Sequence, residues 1–193
     1  MSNSFLPSKY EVPQNSQNYM RFQDGANRFR ILSSAIVGYE YWTNANKPVR
    51  QRAKFKTIPE DIKLDKDGLP TPFKHFWAFV VWNYTDNLVQ ILEVTQASIQ
   101  RQMKIKIDNR EGNAMDNDFI VTRTGTGFGT EYDVDIADPK PISKEIQDAY
   151  AAKYINLEAL YDGADPFKKT GNTPAEIVGQ VTDEEAGAMF DNV

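Results

Sequence analysis

From Val49 to Lys56 neutral and cationic positions alternate without a break. Val49, Gln51, Ala53 and Phe55 fall on one side, Arg50, Arg52, Lys54 and Lys56 on the other. A period of two belongs to a strand, whose successive side chains point to opposite faces. The pattern therefore predicts a strand bearing four cations on one face; on a helix they would scatter around the cylinder. Arg28–Trp42 shows the same period, with Phe29 and Ile31 opposite Arg28 and Arg30. It predicts one long or bent strand, with Gly38 at a bulge or sharp bend. Phe76–Tyr84 is apolar on both faces and predicts a central strand, turning at Asn83–Asn87 into a partner over Leu88–Val94.

Downstream the period changes. Ile99, Met103 and Ile107 stand four apart and predict a helix capped by Thr95 and running to about Lys106. Asp118–Thr124 and Thr130–Ala137 predict a last hairpin with the tip Gly125-Thr126-Gly127-Phe128-Gly129. Ser143 is placed to cap a second helix to about Tyr161, with Ile146, Tyr150, Tyr154, Leu157 and Tyr161 as its packing stripe. This order suits a mainly β protein: a five-stranded Greek-key barrel of the OB type. It adds an extra basic strand, one helix before the last hairpin and a C-terminal helix. In that fold ligands lie across the second and third strands, between the first and last hairpin loops. Here those loops are the insertion Thr43–Phe73 and the tip Thr124–Thr130.

Composition sharpens the picture. The chain has 193 residues and a net charge of -5. Residues 21–110 hold 15 Lys/Arg and 9 Asp/Glu, a net of +6, whereas residues 111–193 hold 6 and 17, a net of -11. The split predicts a polyanion-binding body at 21–161 between a mobile arm at 1–20 and a flexible acidic tail at 162–193. There is no cysteine, which excludes a thiol nucleophile and a zinc finger, and the single histidine, His75, reads as lying in a loop where no Ser-His-Asp set can be argued. The glycines at 125–129 lack the helix or Gly-Lys-Ser/Thr of a phosphate loop. No catalytic residue, metal or cofactor is expected. The longest apolar run, Phe76–Trp82, is far short of the ~20 residues of a membrane helix. A cytoplasmic protein is expected.

Between Arg21 and Lys56 eight cations meet two carboxylates, Asp24 and Glu40, with aromatic rings interleaved. Cations hold a phosphate backbone and flat rings stack on unpaired bases, which is what a single-stranded nucleic-acid groove requires. The candidate contacts are Arg28, Arg30, Lys47, Arg50, Arg52, Lys54, Lys56 and Arg123 for phosphates. Tyr41, Trp42, Phe128 and Tyr132 are the candidates for bases. A charged edge strand protected from aggregation, or carboxylate pairing of Arg28 and Arg30, would give the same pattern without a ligand.

Several segments in fixed order resemble the phage-type single-stranded DNA-binding proteins of replication and recombination. They are Gly25-Ala26-Asn27-Arg28-Phe29-Arg30-Ile31-Leu32, Gly38-Tyr39-Glu40-Tyr41-Trp42 with Lys47-Pro48-Val49-Arg50, Phe76-Trp77-Ala78-Phe79-Val80-Val81 with Gln90-Ile91-Leu92-Glu93, and Phe119-Ile120-Val121-Thr122-Arg123 with Tyr132. The resemblance implies a non-enzymatic protein that coats exposed DNA strands and recruits replication or recombination proteins through an acidic tail, here 183–193. A homo-oligomer is compatible with it. The tail has Phe190 among acids, although Asp191, Asn192 and Val193 follow it. The zinc-binding insertion of some relatives has no counterpart in a chain without cysteine. An RNA-binding OB module, a structural or assembly β-barrel and a metal-dependent nuclease are the rival readings.

Overall fold

A computed structural model describes residues 17–109 and 112–169. The protein is mainly β. Its strands are β1 (Tyr19–Met20), β2 (Gly25–Ile31), β3 (Ile36–Trp42), β4 (Pro48–Gln51), β5 (Lys74–Asn83), β6 (Leu88–Val94), β7 (Asp118–Thr124) and β8 (Glu131–Ile136). Two helices, α1 (Ala97–Asp108) and α2 (Lys144–Ala152), complete the regular elements. The order β6-β5-β2-β7-β8 is that of an OB-like sheet, with α1 between the third and fourth of these strands in the chain. None of the described helices is long and apolar enough to cross a membrane.

The inner face follows from the period of two. Phe29 and Ile31, Phe79 and Val81, Leu92 and Val94, Phe119 and Val121, and Val134 point inward from five strands onto Ile99 and Met103 of α1. Burying a side chain of this size contributes about 1.5–3 kcal/mol. β6 and β8 do not pair with each other, and each edge is sealed differently. β1 runs parallel along β6, with Tyr19 opposite Ile91. On β8, the Gln102 amide of α1 donates to Tyr132 O (2.8 Å) and accepts from Val134 N (3.1 Å), standing in for a neighbouring strand. Thr95 makes no cap; Gln96 takes that position without a side-chain capping bond.

Four expectations about elements are corrected. The first strand is two, because the chain leaves the ladder at Leu32–Ala35 and β3 then pairs the start of β5. Gly38 sits in an unbroken ladder, where a Cβ would collide with Gln51 O. The basic strand ends at Gln51. The helix after Ser143, whose Oγ accepts from Ile146 N, stops at Ala152; a 3-10 turn follows at Leu157–Leu160.

This C-terminal segment decides what the sheet can offer. The outer side of β5 and β6 carries Phe76, Ala78, Val80, Trp82, Val89 and Ile91, all buried. Ile146, Leu157, Leu160, Tyr161 and Phe167 pack onto them. The face on which an OB fold usually carries ligand is thus covered by the chain itself. Tyr19 and Met20, expected in the arm, belong to the sheet edge, and Pro166 of the expected tail is buried. Most of the arm and tail lies outside the described residues.

Candidate nucleic-acid interface

The opening left on that face lies between the β3–β4 turn and the C-terminal segment. The turn is held by Asn46 N donating to Thr43 O (2.9 Å) and Lys47 N donating to Thr43 Oγ1 (3.2 Å). Asn46 has φ 55°, a left-handed conformation that asparagine tolerates better than most residues. Lys63 N donates to Trp42 O (2.7 Å) and Asn44 N to Asp61 O (2.8 Å), which ties the turn to the insertion. Trp42, at the end of β3 opposite Pro48, is held 39% exposed.

A concavity of about 640 Å³ is lined by Tyr19, Lys47, Pro48, Arg50, Asp61, Leu160 and Gly163, among others. That is within the ~300–1,000 Å³ of small-ligand sites. A second of about 360 Å³ is lined by Tyr19, Arg21, Trp42, Pro48, Arg50 and Glu93. A third of about 230 Å³ shares Tyr19 and Arg21 and reaches Asn83, Thr85 and Asp86. Their shared residues make them one trough along β1. Tyr19 is 38% exposed, and Phe167 meets it edge-on at 5.9 Å. Two half-exposed rings from different strands therefore face one trough.

The cations divide into two groups. The Arg50 side chain is buried, donating to Glu40 through Nε and to Glu93 through Nη2, each at 3.0 Å. Burial pushes the Glu93 carboxyl up, Arg50 opposes this and Glu40 adds to it. Arg52 pairs with Glu158, its guanidinium 4.3 Å from the centre of the Tyr161 ring. Arg21, Lys47, Lys54 and Lys56 are exposed and make no ion pair among the described residues. The four-cation stripe does not exist: the strand ends too early and two of its members hold carboxylates. Lys54 and Lys56 instead flank Phe55, whose ring packs on Tyr41 and Phe73.

Arg30 and Tyr41 also leave the candidate interface. Arg30 is fully buried and donates from Nε to Asp118 Oδ1 (2.6 Å). Tyr41 is buried, its hydroxyl donating to Asp61 (3.0 Å); burial first, then Asp61, pushes its pKa up. Arg28 lies on the outer side of β2, outside the trough, and also bonds Asp118. Burial pushes the Asp118 carboxyl up, but hydrogen bonds from Arg30, Lys140, Arg28 and Tyr84 together outweigh it and hold it below its ordinary value.

The β7–β8 hairpin presents Phe128 fully exposed. Gly125 permits this tip: its φ is 75° and a Cβ would collide with Gly129 O. At the hairpin root Tyr132 packs against Phe22 (6.0 Å), and Arg123 reaches Phe22 O (3.5 Å). Both are half-buried. The segment Tyr19–Phe22 thus runs from the trough to this root. Tyr19 and Arg21 were not among the sequence candidates. Only the parallel pairing of β1 with β6 brings them to the site, and two residues are too few to show a period.

The chain is 27% identical over 166 residues to a protein of Escherichia phage T5 named "Probable ssDNA-binding protein". The matched region covers 75% of this chain and 64% of that protein. This similarity agrees with the resemblance carried by the sequence segments. No family model matches the chain. No solved structure matches it either.

Proposed function

We propose that this chain binds single-stranded DNA with little sequence preference and has no catalytic role. The observation that carries the reading is the trough on which Tyr19 and Trp42 stand half-exposed, with Arg21 and Lys47 making no ion pair among the described residues. Rings that stack on any base are worth ~1–3 kcal/mol each and do not discriminate sequence. Unpaired cations exchange counterions for phosphates, so affinity falls as salt rises. Lys54, Lys56 and Phe128 extend the contact on either side of the trough. The name of the phage T5 relative supports the same reading.

In this role the protein coats and protects strands exposed in replication or recombination, in the host cytoplasm if the chain is phage-encoded. The acidic tail at 183–193 competes with DNA for the cations until DNA displaces it, and then recruits a replication or recombination partner. The opposite net charges of the two parts of the chain motivate this step.

Intrinsic fluorescence tests the reading. Trp82 is buried and Trp77 half-buried against the core, so Trp42 is the tryptophan open to a ligand. Oligothymidylate is expected to quench emission at low salt, less at high salt, and not in Trp42→Phe. A matched duplex is expected to quench weakly. Absence of quenching and binding at low salt rejects the function, and clear preference for the matched RNA oligomer transfers it to RNA.

A further inference from the structure

A second cluster of charge lies outside the trough. The Asp118 carboxylate is fully buried and collects three cations: Arg30 Nε at 2.6 Å, Arg28 Nη2 at 2.5 Å and Lys140 Nζ at 3.1 Å. The Tyr84 hydroxyl donates to the same group at 3.0 Å. Arg30 is as buried as Asp118, and one buried cation already balances one buried anion. Arg28 and Lys140 are surplus. Their side chains are 46% and 45% exposed, and both stand over the Tyr84 ring, at 4.9 and 5.2 Å from its centre. Arg28 directs Nε and Nη2 to Asp118, which leaves Nη1 without a partner among the described residues. An ammonium carries three donors, and one of those on Lys140 faces Asp118.

We propose that Arg28 and Lys140 form an anion subsite for a backbone phosphate of the bound strand, beyond the trough. The excess of two positive charges selects an anion. The Tyr84 ring is already engaged by both cations, which favours a phosphate over a stacked base there. A planar fork beside a mobile ammonium suits an oxyanion, the first by geometry and the second as a point charge. Position links the subsite to the trough. Tyr84 lies between Asn83 and Thr85, which line the trough's far end with Arg21. A strand that leaves the trough over this turn meets Arg28 and Lys140 on the other side.

The inference rests on the single-stranded DNA reading, and length separates the two. An oligothymidylate of about 6 nucleotides lies near the lower end of the ~4–16 nucleotides covered by an OB fold, and one of about 20 exceeds the range. The double variant Arg28→Gln/Lys140→Gln is expected to keep wild-type affinity for the short oligomer and lose about 3- to 10-fold for the long one. Its salt slope on the long oligomer should fall by ~0.7, the value for one lost phosphate contact. Unchanged affinity at both lengths overturns the subsite, and so does an equal loss at both. If the double variant melts, Lys140→Gln alone gives the same comparison, since Arg28, Arg30 and Tyr84 remain on Asp118. If the wild type binds no oligonucleotide, the trough reading fails and tripolyphosphate decides the subsite. A rise in melting temperature in the wild type that Lys140→Gln abolishes sustains it; no rise overturns it.

Discussion

Arg30 of β2 and Asp118 of β7 are register partners whose side chains meet at 2.6 Å, both sealed from solvent. The pair joins the central strand β2 to its neighbour β7 on the outer side of the OB-like sheet. Around it Arg28, Lys140 and Tyr84 converge on the same carboxylate. A residue that reads in the sequence as a ligand contact is a structural bolt.

Asp118→Asn is expected to cost about 3–5 kcal/mol, because it leaves Arg30 buried without a counter-charge. Urea unfolding measures this. The pH dependence has a definite sign. The folded-state pKa of Asp118 is lowered below its unfolded value of about 3.9, so stability is present above that pH and lost as pH falls through the folded value. Acid unfolding of Asp118→Asn should lack this component below about pH 5. An unchanged acid profile would contradict the network.

Trp42→Ala and Tyr19→Ala should each weaken oligothymidylate binding by about 1–3 kcal/mol, roughly 5- to 150-fold. Phe128→Ala is expected to weaken it without altering thermal stability, since its ring is fully exposed. Trp82→Phe serves as the contrast: Trp82 packs under α2, so the change should act on stability and leave affinity intact. Equilibrium titration paired with thermal melts separates the two kinds of effect.

Cations free of carboxylates and cations held by them should behave differently. Lys47→Gln, Lys54→Gln and Lys56→Gln should each reduce the salt slope of binding by ~0.7 with no change in melting temperature. Arg50→Gln should destabilise instead, because Glu40 and Glu93 lose their shared donor. Measuring the binding constant across a salt series for each variant checks the division. A stability loss in the lysine variants would show that they hold the fold.

Removal of residues 183–193, which carry acids and no cation, should tighten DNA binding at low salt and have little effect at high salt, where screening is strong. Unchanged or weaker binding at low salt would end the competition model.

The sequence by itself determined the elements whose signal is local. The period of two in β2, the apolar run of β5 with its turn into β6, the strand over β7, and the spacing of Ile99, Met103 and Ile107 in α1 appear in the structure where the pattern puts them. In β2 and α1 the residues must bury one face, and the period states which. The charged residues were legible as a cluster but not in their roles. Arg50 reaches Glu93, 43 residues away, and Arg52 reaches Glu158, 106 away. Whether a cation is held by a carboxylate or left to a ligand depends on which distant acid the fold brings beside it, and no local period encodes that. The tertiary structure also decided where a strand of DNA can lie. Packing of the C-terminal segment onto β5 and β6 closed one face, and two residues paired beside β6 opened the trough.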